Sequence, residues 1–341
     1  MTTIKDVAEE AEVSIATVSA VINGTTFVSE ELKKRVLESI KKLDYRPNLV
    51  ARGLKTKKIK VIGVLVPDIT NPFYPAMVYG AEESAREAGF NIFLSTTMED
   101  PHIERSVLNS LMENRVGGVL AGFVEDENKE VLEQLQKEKI PFVLINRKPR
   151  DYYGPFVGGD WRLAGLVVTN HLIKQGYKKI AFMGHSPGKF TSYEREMGFK
   201  EAMQSKGLEI KKEYQFYAAY SQKRAYKIFK ENISAQPLPE AIFCANDLMA
   251  FGVINALLHS GYRVPEDIAV VGCDDIEFSA HFKVPLTTMH MPKYQIGYIG
   301  AEMLIDRITG KTDSEDIKSY DVLSKPRLII RDSCGANLQK I

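Results

Sequence analysis

From residue 61 onward the sequence alternates short apolar runs with longer amphipathic stretches, and this alternation restricts the possible folds more than any other feature. Strands that are apolar on both faces are typical of parallel sheets covered by helices. The sequence therefore predicts an α/β core, and a core of this length is expected to divide into two lobes. The runs that we assign to strands are 61–68, 91–97, 117–123, 142–147, 179–185, 214–220, 241–247, 268–275 and 286–291.

Several of these runs end in polar side chains. In open α/β sheets, ligands bind beyond the carboxyl ends of the strands. Two lobes that face each other would bring such groups around one cleft, so the pattern predicts a binding site for a small molecule. The polar groups at the strand ends are Asp68 with Asn71, Arg147, Asn246 with Asp247, and Asp274 with Asp275.

The net charge of +1 conceals a strongly basic segment. Residues 33–60 contain eleven lysines and arginines but only two acidic residues, so the rest of the chain is acidic. Basic side chains bind the phosphates of nucleic acid and release condensed counterions. The segment therefore indicates contact with nucleic acid, although a solubilising linker could have the same composition.

The first 45 residues have the pattern of three short helices. Thr3 with Asp6 is an N-terminal capping signature, Ser14 is placed to cap a second helix, and Ser29 is placed to cap a third. Gly24 is suited to the left-handed conformation that ends a helix. The tight turn between the first two helices predicts a small all-α helix-turn-helix head, a motif that also occurs in domains that do not bind DNA.

Two stretches carry a resemblance to a known family: TIKDVAEEAEVSIATVSAVING at residues 3–24 and YRPNLVARGLK at residues 45–55. They resemble the head of the LacI/GalR family of bacterial transcription repressors. The sequence departs from the family pattern at Glu12, where Gly is usual in the turn, and at Ala20, where Arg is usual. The resemblance extends over essentially the whole chain, and in the core it is densest at PDITNPFY, FCANDLMAFG and VVGCDDIEFSAHFKVPLTT.

The resemblance implies a multidomain chain in which the head precedes an α/β two-lobe core similar to type I periplasmic binding proteins. On this basis we assign residues 1–46 to the helix-turn-helix DNA-binding domain, 47–60 to a hinge helix and linker, and 61–335 to an effector-binding core. Lobe one is expected to comprise 61–161 and 292–322, and lobe two 162–291 and 323–335.

The resemblance also implies that Ile15, Ala16 and Ala20 face base edges in the major groove. Apolar side chains can contact thymine methyl groups, but they cannot form the bidentate bond of Arg to guanine, worth about 1–3 kcal/mol of discrimination. We therefore expect an operator that favours A/T where the usual Arg would select G. The alternative is that Ala20 faces solvent and other residues compensate. Further DNA contacts are expected from Thr3, Ser14, Thr17, Ser19 and Asn23.

Residues 48–54 predict a hinge. Asn48 can cap the short helix LVARGL, whose Ala51 and Arg52 are expected to contact DNA, and the resemblance places Leu54 as a wedge in the minor groove. Such a wedge partly unstacks a base step and kinks the duplex. Seven residues are too few for a stable isolated helix, so this one should form only when paired with a second subunit on DNA. The alternative is a plain linker ending in the basic run KTKKIK.

A ligand set in the core, composed of aromatic rings, carboxylates, an amide and arginines, is also implied by the resemblance. Carboxylates accept from hydroxyls, a guanidinium donates in a fixed fork, and aromatic rings cover the C–H faces of sugars. The set indicates a sugar-type effector, although an acidic ligand stays open and each residue has a structural alternative. Trp161 is expected to line the cleft or the interface between the lobes. The implied ligand residues are Phe73, Asp160, Arg195, Tyr220, Asn246 and Asp274, with Arg147 as a weaker candidate.

Motifs of enzymes and metal sites are missing from the sequence. We find no G-x-S-x-G elbow, no phosphate-binding loop and no H-E-x-x-H, and Cys244, Cys273 and Cys334 lack metal-ligand spacing. We therefore expect no catalysis, no metal and no cofactor. No apolar run approaches the roughly 20 residues that span a bilayer. The N-terminus lacks a signal core, so a cytoplasmic location is expected.

Together these features predict a ligand-responsive DNA-binding transcriptional regulator. Its expected partners are operator double-stranded DNA, a small-molecule effector and a second copy of itself, because paired hinges need a homodimer. We expect a repressor of a carbohydrate-utilisation operon that a sugar releases from its operator. The alternatives are an activator, a corepressor-dependent regulator and a pure sugar-binding transport protein, and the basic helical head argues against the last.

Overall fold

A computed structural model of the chain describes residues 2–24, 26–45, 60–149, 151–186, 189–233, 237–311 and 321–336. The chain divides into two compact units, residues 1–59 and 60–341. The predicted hinge lies almost entirely outside the described residues, and so do Asn48, Ala51, Arg52 and Leu54. No helix among the described residues is long and apolar enough to cross a membrane.

The N-terminal unit consists of three helices, α1 (Ile4–Glu10), α2 (Ile15–Asn23) and α3 (Glu30–Lys42). Each helix contributes apolar side chains at helical spacing to one small core, because only one face of each is apolar. Every helix therefore leaves its other face available to solvent or to a partner. The buried members of this core are Val7, Ala8, Ala11, Val18 and Val36.

The predicted caps of these helices are confirmed. Thr3 and Asp6 form a reciprocal capping box at the start of α1, and the hydroxyl oxygen of Ser14 accepts the backbone N–H of Thr17. Ser29 caps α3 in the same way, and Gly24 ends α2 in the left-handed conformation with φ 61°. Local capping chemistry therefore sets both ends of α2.

The core unit alternates strands with helices as predicted. Its helices are α4 (Phe73–Glu87), α5 (Pro101–Glu113), α6 (Lys129–Lys137), α7 (Trp161–Lys174), α8 (Phe190–Ser205), α9 (Gln222–Asn232), α10 (Asp247–Leu258) and α11 (Lys293–Thr309). Its strands are β1 (Val61–Val66), β2 (Asn91–Thr96), β3 (Gly118–Ala121), β4 (Phe142–Ile145), β5 (Phe156–Gly159), β6 (Ile180–Gly184), β7 (Gln215–Tyr217), β8 (Ala241–Cys244), β9 (Ala269–Asp274), β10 (Thr287–His290), β11 (Asp321–Ser324) and β12 (Arg327–Ile329).

The strands form two six-stranded sheets, one in each lobe. The first sheet has the order β11-β5-β4-β3-β1-β2 and is parallel throughout. The second has the order β12-β10-β9-β8-β6-β7 and is parallel except for β12, which runs antiparallel to β10. Most central strands are buried along their whole length, because helices cover both faces of each sheet.

The chain passes between the two sheets three times. The first passage lies between β5 and α7, and the second lies between β10 and α11. At the third passage, Leu323 pairs with Gly158 and Ser324 with Gly159 in the first sheet, so the chain changes sheets between Ser324 and Arg327. The predicted boundary after residue 322 is therefore two residues too early, since β11 continues to Ser324.

Candidate functional site

A cavity of about 250 Å³ lies between the lobes at the carboxyl ends of the strands. Six of the seven predicted ligand residues line it, although they come from segments spread over about two hundred residues of the chain. Of the four further lining residues, Asn71 was predicted as a polar group at a strand end, whereas Tyr74, Asn146 and Thr191 were not predicted. The residues lining this cavity, which we call the effector cavity, are Asn71, Phe73, Tyr74, Asn146, Arg147, Thr191, Arg195, Tyr220, Asn246 and Asp274.

An ion pair between Arg195 and Asp274 forms the lobe-two wall. The Nη2 of Arg195 lies 3.2 Å from the Oδ1 of Asp274, and both side chains are almost fully buried. Burial raises the pKa of Asp274 to about 7, against the opposing effect of Arg195. A buried carboxylate beside a buried guanidinium presents an acceptor and a donor to the same ligand atom or to neighbouring ones.

The backbone at the end of β9 is held in an uncommon conformation. Asp274 has φ 132° and Asp275 has φ 51°, and such conformations cost of order 1–3 kcal/mol each for residues other than glycine. The ammonium of Lys293 donates to the carbonyl oxygens of both residues. Since Lys293 begins α11, this contact connects the binding loop of lobe two to a helix that packs on the first sheet.

Two helix starts position further side chains in the effector cavity. The Oδ1 of Asn246 accepts the backbone N–H of Met249 at 2.9 Å and so caps α10, which leaves the amide nitrogen as its donor toward a ligand. On α8, Arg195 passes close to α7, where a Cβ at Gly165 would overlap the carbonyl oxygen of Arg195. Glycine at position 165 therefore permits the helix approach that places Arg195 in the cavity.

The lobe-one wall is centred on Arg147. Its Nη2 donates to the hydroxyl of Tyr74 and to the Oε1 of Glu99, both at 2.9 Å. The guanidinium carbon lies 5.3 Å from the ring centre of Phe123 and 5.1 Å from that of Tyr220. The Nη1 is buried and has no hydrogen-bond partner among the described residues. A buried donor without a partner is costly, so this atom is a candidate to bind a ligand.

Glu99 connects the two lobes beside the cavity. Its Oε2 lies 3.2 Å from the Nε2 of His185, whose ring centre lies 4.7 Å from that of Tyr220 in lobe two, with the two rings tilted by 55°. Burial opposes ionisation of Glu99, yet Arg147 and His185 together hold its pKa well below the ordinary value. Sequence reasoning missed Glu99 and His185, although Glu99 follows the predicted strand 91–97 and His185 is the last residue of the predicted strand 179–185.

Asp160 is not among the residues that line the effector cavity, and the ligand contact expected for it stays a prediction. It is the N-cap of α7, and its Oδ1 accepts the backbone N–H of Leu163 at 2.9 Å. Trp161 is 2% exposed, donates from Nε1 to the carbonyl of Asn146 at 3.1 Å, and lies 4.4 Å beneath the guanidinium of Arg195. Of the two predicted places, it occupies the junction between the lobes, behind the cavity wall.

In the N-terminal unit, the predicted DNA-facing residues of α2 are exposed at the start of the helix and half-buried farther along it. Ile15 is 42% exposed, Ala16 is exposed, and Thr17 and Ala20 are half-buried. The hydroxyls of Ser14 and Thr17 lie 2.9 Å apart at the helix start. Ser19 is half-buried, Thr3 is occupied by the capping box of α1, and the side chain of Asn23 lies outside the described part.

Glu12, which departs from the family pattern, has an uncommon backbone conformation. It has φ 50°, the left-handed conformation that favours glycine. The Nη2 of Arg35 donates to the carbonyl of Ala11 at 2.6 Å and lies 3.3 Å from the Oε2 of Glu12. The turn between α1 and α2 is therefore fixed from α3 by one arginine.

Comparison with protein families gives two matches. A family model described as bacterial regulatory proteins, lacI family, matches residues 3–48. A second, described as a periplasmic binding protein-like domain, matches residues 169–334. The first match covers the three-helix unit and the second covers most of the residues of lobe two.

Curated proteins and solved structures also match over nearly the whole chain. The HTH-type transcriptional repressor PurR of Aliivibrio salmonicida is 38% identical over 91% of this chain and 93% of its own, and PurR of Haemophilus influenzae is 36% identical over 98% of both. A structure titled as the transcriptional regulator CelR–cellobiose complex is 28% identical, with a TM-score of 0.74 over 98% of this chain and 100% of its own. The Lac repressor dimer bound to operator and the anti-inducer ONPF, at 23% identity, shares the fold with a TM-score of 0.87, over 98% of this chain and 99% of its own.

Proposed function

The chain belongs to the lacI family of bacterial regulatory proteins, and from this premise we propose that it represses genes of carbohydrate utilisation and is released from its operator by a sugar-type effector. At the coarser level, it is a ligand-responsive DNA-binding repressor of that family. The finer assignment, the class of effector and the direction of the response, rests on the chemistry of the effector cavity.

The buried Arg195–Asp274 pair beside the amide of Asn246 is the observation that carries the proposal. A sugar hydroxyl both donates and accepts, so it can bond a carboxylate and a guanidinium at the same time. The rings of Phe73 and Tyr220 supply apolar surface for the C–H faces of a sugar. The CelR–cellobiose complex, whose protein is similar over 98% of this chain, provides a precedent for a sugar ligand.

The test of the effector class is a thermal-shift screen of the full chain against sugars, sugar acids, sugar phosphates and nucleobases. A ligand at 100 times its Kd stabilises the folded state by about 2.7 kcal/mol, which raises the unfolding midpoint. We expect a sugar to give the largest shift. If only nucleobases raise the unfolding midpoint, the sugar-type effector is wrong, but the chain is still a ligand-responsive repressor.

The direction of the response is tested on operator DNA selected from a random pool by the full chain. Because an effector couples to DNA only through different affinities for two states of the core, the active sugar must change operator affinity. We expect weaker binding, the behaviour of an inducer. Stronger binding would instead make the sugar a corepressor, one of the alternatives open from the sequence.

For DNA recognition, we propose that α2 reads the major groove through Ile15, Ala16 and Ala20. The exposure of Ile15 and Ala16 supports contact with thymine methyl groups, and α2 carries no Arg or Lys that could pair with guanine. The minor-groove wedge at Leu54 lies outside the described residues and stays a prediction: Leu54→Ala should weaken binding to the selected operator more than binding to random DNA.

We propose a homodimer with the first sheet at its interface. The edge strand of that sheet, β2, exposes Phe93 and Leu94, and Met98 and Ile103 continue the apolar surface. An exposed apolar edge strand is a liability unless another chain covers it. A second copy of this chain, which the paired operator half-sites of such repressors require, would cover it.

A further inference from the structure

A second cavity of about 340 Å³ adjoins the effector cavity and is used by nothing described so far. It also lies between the lobes, since its lining comes from the loop after β3, the loop after β4 and the start of α8. Arg147 lines both cavities, which makes them neighbours. The residues lining the second cavity are Phe123, Val124, Glu125, Asp126, Arg147, Lys148, Pro149, Lys189 and Phe190.

Arg147 forms the partition between the two cavities. Its guanidinium lies between the ring of Phe123, in the second cavity, and the ring of Tyr220, in the effector cavity. Its Nη2 is occupied by Tyr74 and Glu99, but its Nη1 is buried and has no hydrogen-bond partner in the part of the chain that the structure describes. The residue is only 5% exposed, so water at the protein surface does not satisfy this donor.

The charges of the second cavity are largely balanced. Lys189 of lobe two pairs with Glu125 of lobe one, Lys148 pairs with Asp321 at 2.6 Å, and Asp126 lies 3.1 Å from the ammonium of Lys129. Carboxylates in the lining oppose the binding of an anion such as a phosphate. Mixed donors and acceptors flanked by two phenylalanine rings suit a neutral, hydroxylated ring instead.

The position of the second cavity supports the same conclusion. Arg147 lines both cavities, so a ligand bound in the effector cavity can extend past this guanidinium into the second cavity. We propose that the effector is a disaccharide, with one unit at Arg195 and Asp274, the second unit between Phe123 and Phe190, and the Nη1 of Arg147 donating to an oxygen near the junction of the two units. This inference rests on the proposed sugar-type effector and names its class.

The test is calorimetric titration of the full chain with maltose, cellobiose, lactose, trehalose, sucrose and melibiose, and with glucose, galactose and fructose. We expect one disaccharide to bind at least tenfold tighter than either of its constituents. Trehalose 6-phosphate is included as the anionic probe and should not bind more tightly than that disaccharide.

Substitutions in the lining of the second cavity test whether the second sugar unit of the disaccharide binds there. Asp126→Asn and Phe123→Leu should each weaken the disaccharide about three- to tenfold, the loss of one hydrogen bond or ring contact, and leave the monosaccharide unchanged. Asp126 is exposed, so its substitution does not endanger folding as that of Phe123 does. Glu127→Gln is the matched control, because Glu127 is the adjacent exposed acid and does not line the cavity.

The outcomes separate this inference from the proposed function. A monosaccharide that binds as tightly as every disaccharide, or a disaccharide whose affinity is unaffected by both variants, would overturn the second sugar subsite and leave the sugar-type effector intact. A tighter trehalose 6-phosphate would show that the second cavity binds an anion. If no saccharide binds, the proposal of a sugar-type effector is wrong, and the proposal of a disaccharide is wrong as well.

Discussion

In the head, the residues expected to face base edges, Ile15, Ala16 and Ala20, lie within six positions of each other on α2, and those at the helix start, Ile15 and Ala16, are exposed. In the core, the cavity residues come from loops and helix starts far apart in the chain, and Arg147, Arg195, Asn246 and Asp274 are each at most 5% exposed. The head therefore presents its recognition residues on the surface of one helix, whereas the core holds its recognition residues in a buried polar network.

This difference has a consequence for substitutions. An exposed residue on α2 contacts few protein atoms, so changing it should alter DNA specificity with little effect on folding. A buried polar residue of the cavity satisfies its neighbours, so removing it should lower both effector affinity and stability. Expected effects on stability therefore decrease from the cavity to the head.

Asp274→Ala should have the largest effect. It leaves the buried guanidinium of Arg195 without its carboxylate, which costs about 3 kcal/mol or more in unfolding free energy. It should also weaken the effector at least tenfold, since a hydrogen bond to a charged group is worth about 1.5–3 kcal/mol. Urea denaturation and calorimetry measure the two effects. Asp267→Ala, which removes an ion pair on the surface of the same lobe, is the control and should change neither by much.

Glu104 should make core stability depend on pH. Its carboxylate accepts the backbone N–H of Glu125 at 3.0 Å and the amide of Asn128 at 2.8 Å, and burial raises its pKa to about 7. Between pH 4.5 and 7 the folded chain therefore holds this proton more tightly than the unfolded chain does. The stability from Glu104 is full at low pH and is lost as the pH rises toward 7.

The size of that loss is about 1–3 kcal/mol, and Glu104→Gln tests it. Glutamine keeps an acceptor for both donors but cannot titrate, so unfolding free energy should fall less between pH 5 and pH 8 than in the parent. Glu133→Gln, at an exposed position of α6, should leave the pH profile unchanged. Parallel profiles for the parent and Glu104→Gln would show that Glu104 does not titrate in this range.

Glu12→Gly should change the stability of the head only slightly. Glycine removes the strain of the left-handed backbone at φ 50°, which costs a non-glycine residue about 1–2 kcal/mol. Two effects oppose this gain: the exposed ion pair with Arg35 is lost, and the entropy of the unfolded chain rises. We expect a net gain between 0 and about 1 kcal/mol, measured by hydrogen exchange of the α2 amides. The control Glu12→Ala removes the ion pair and keeps the backbone strain. If Glu12→Gly lowers the stability of the head more than Glu12→Ala does, this explanation is wrong.

Ala20→Arg should have the smallest effect on stability, within about 0.5 kcal/mol. It should nevertheless shift the DNA motif selected from a random pool toward G at one position of each half-site, because Arg binds guanine in a bidentate manner. Ala20→Lys provides a control that adds the charge without the planar fork. An unchanged motif for Ala20→Arg would mean that position 20 does not face base edges.

Sequence reasoning was most accurate where the determining interactions are local. The caps at Thr3, Ser14 and Ser29 depend on neighbours three residues away, so their residue types predict them. The strand β5 was missed because Gly158 and Gly159 weaken its apolar pattern. Strands β11 and β12 were missed because neither is an apolar run: Asp321, Ser324 and Arg327 are polar, and both strands are partly exposed.

The cavity was predictable only in part, for a physical reason. Polar residues at strand ends, such as Asn246 and Asp274, can be predicted because topology brings strand ends together. The ligand contact of Asp160 was implied only by the family resemblance; its Oδ1 caps a helix start, and the contact stays a prediction. Glu99 and His185 were missed because they meet only when the two lobes face each other, and no local pattern records that contact.

The central claim is that the ligand bound at Asp274 controls operator affinity. The most direct measurement is fluorescence anisotropy of the full chain on its selected operator, with and without the sugar that gives the largest thermal shift, for the parent and Asp274→Asn. We predict that the sugar weakens operator binding at least tenfold in the parent and that this difference disappears in the variant. An equal response in both proteins would contradict the claim and place the controlling site outside the effector cavity.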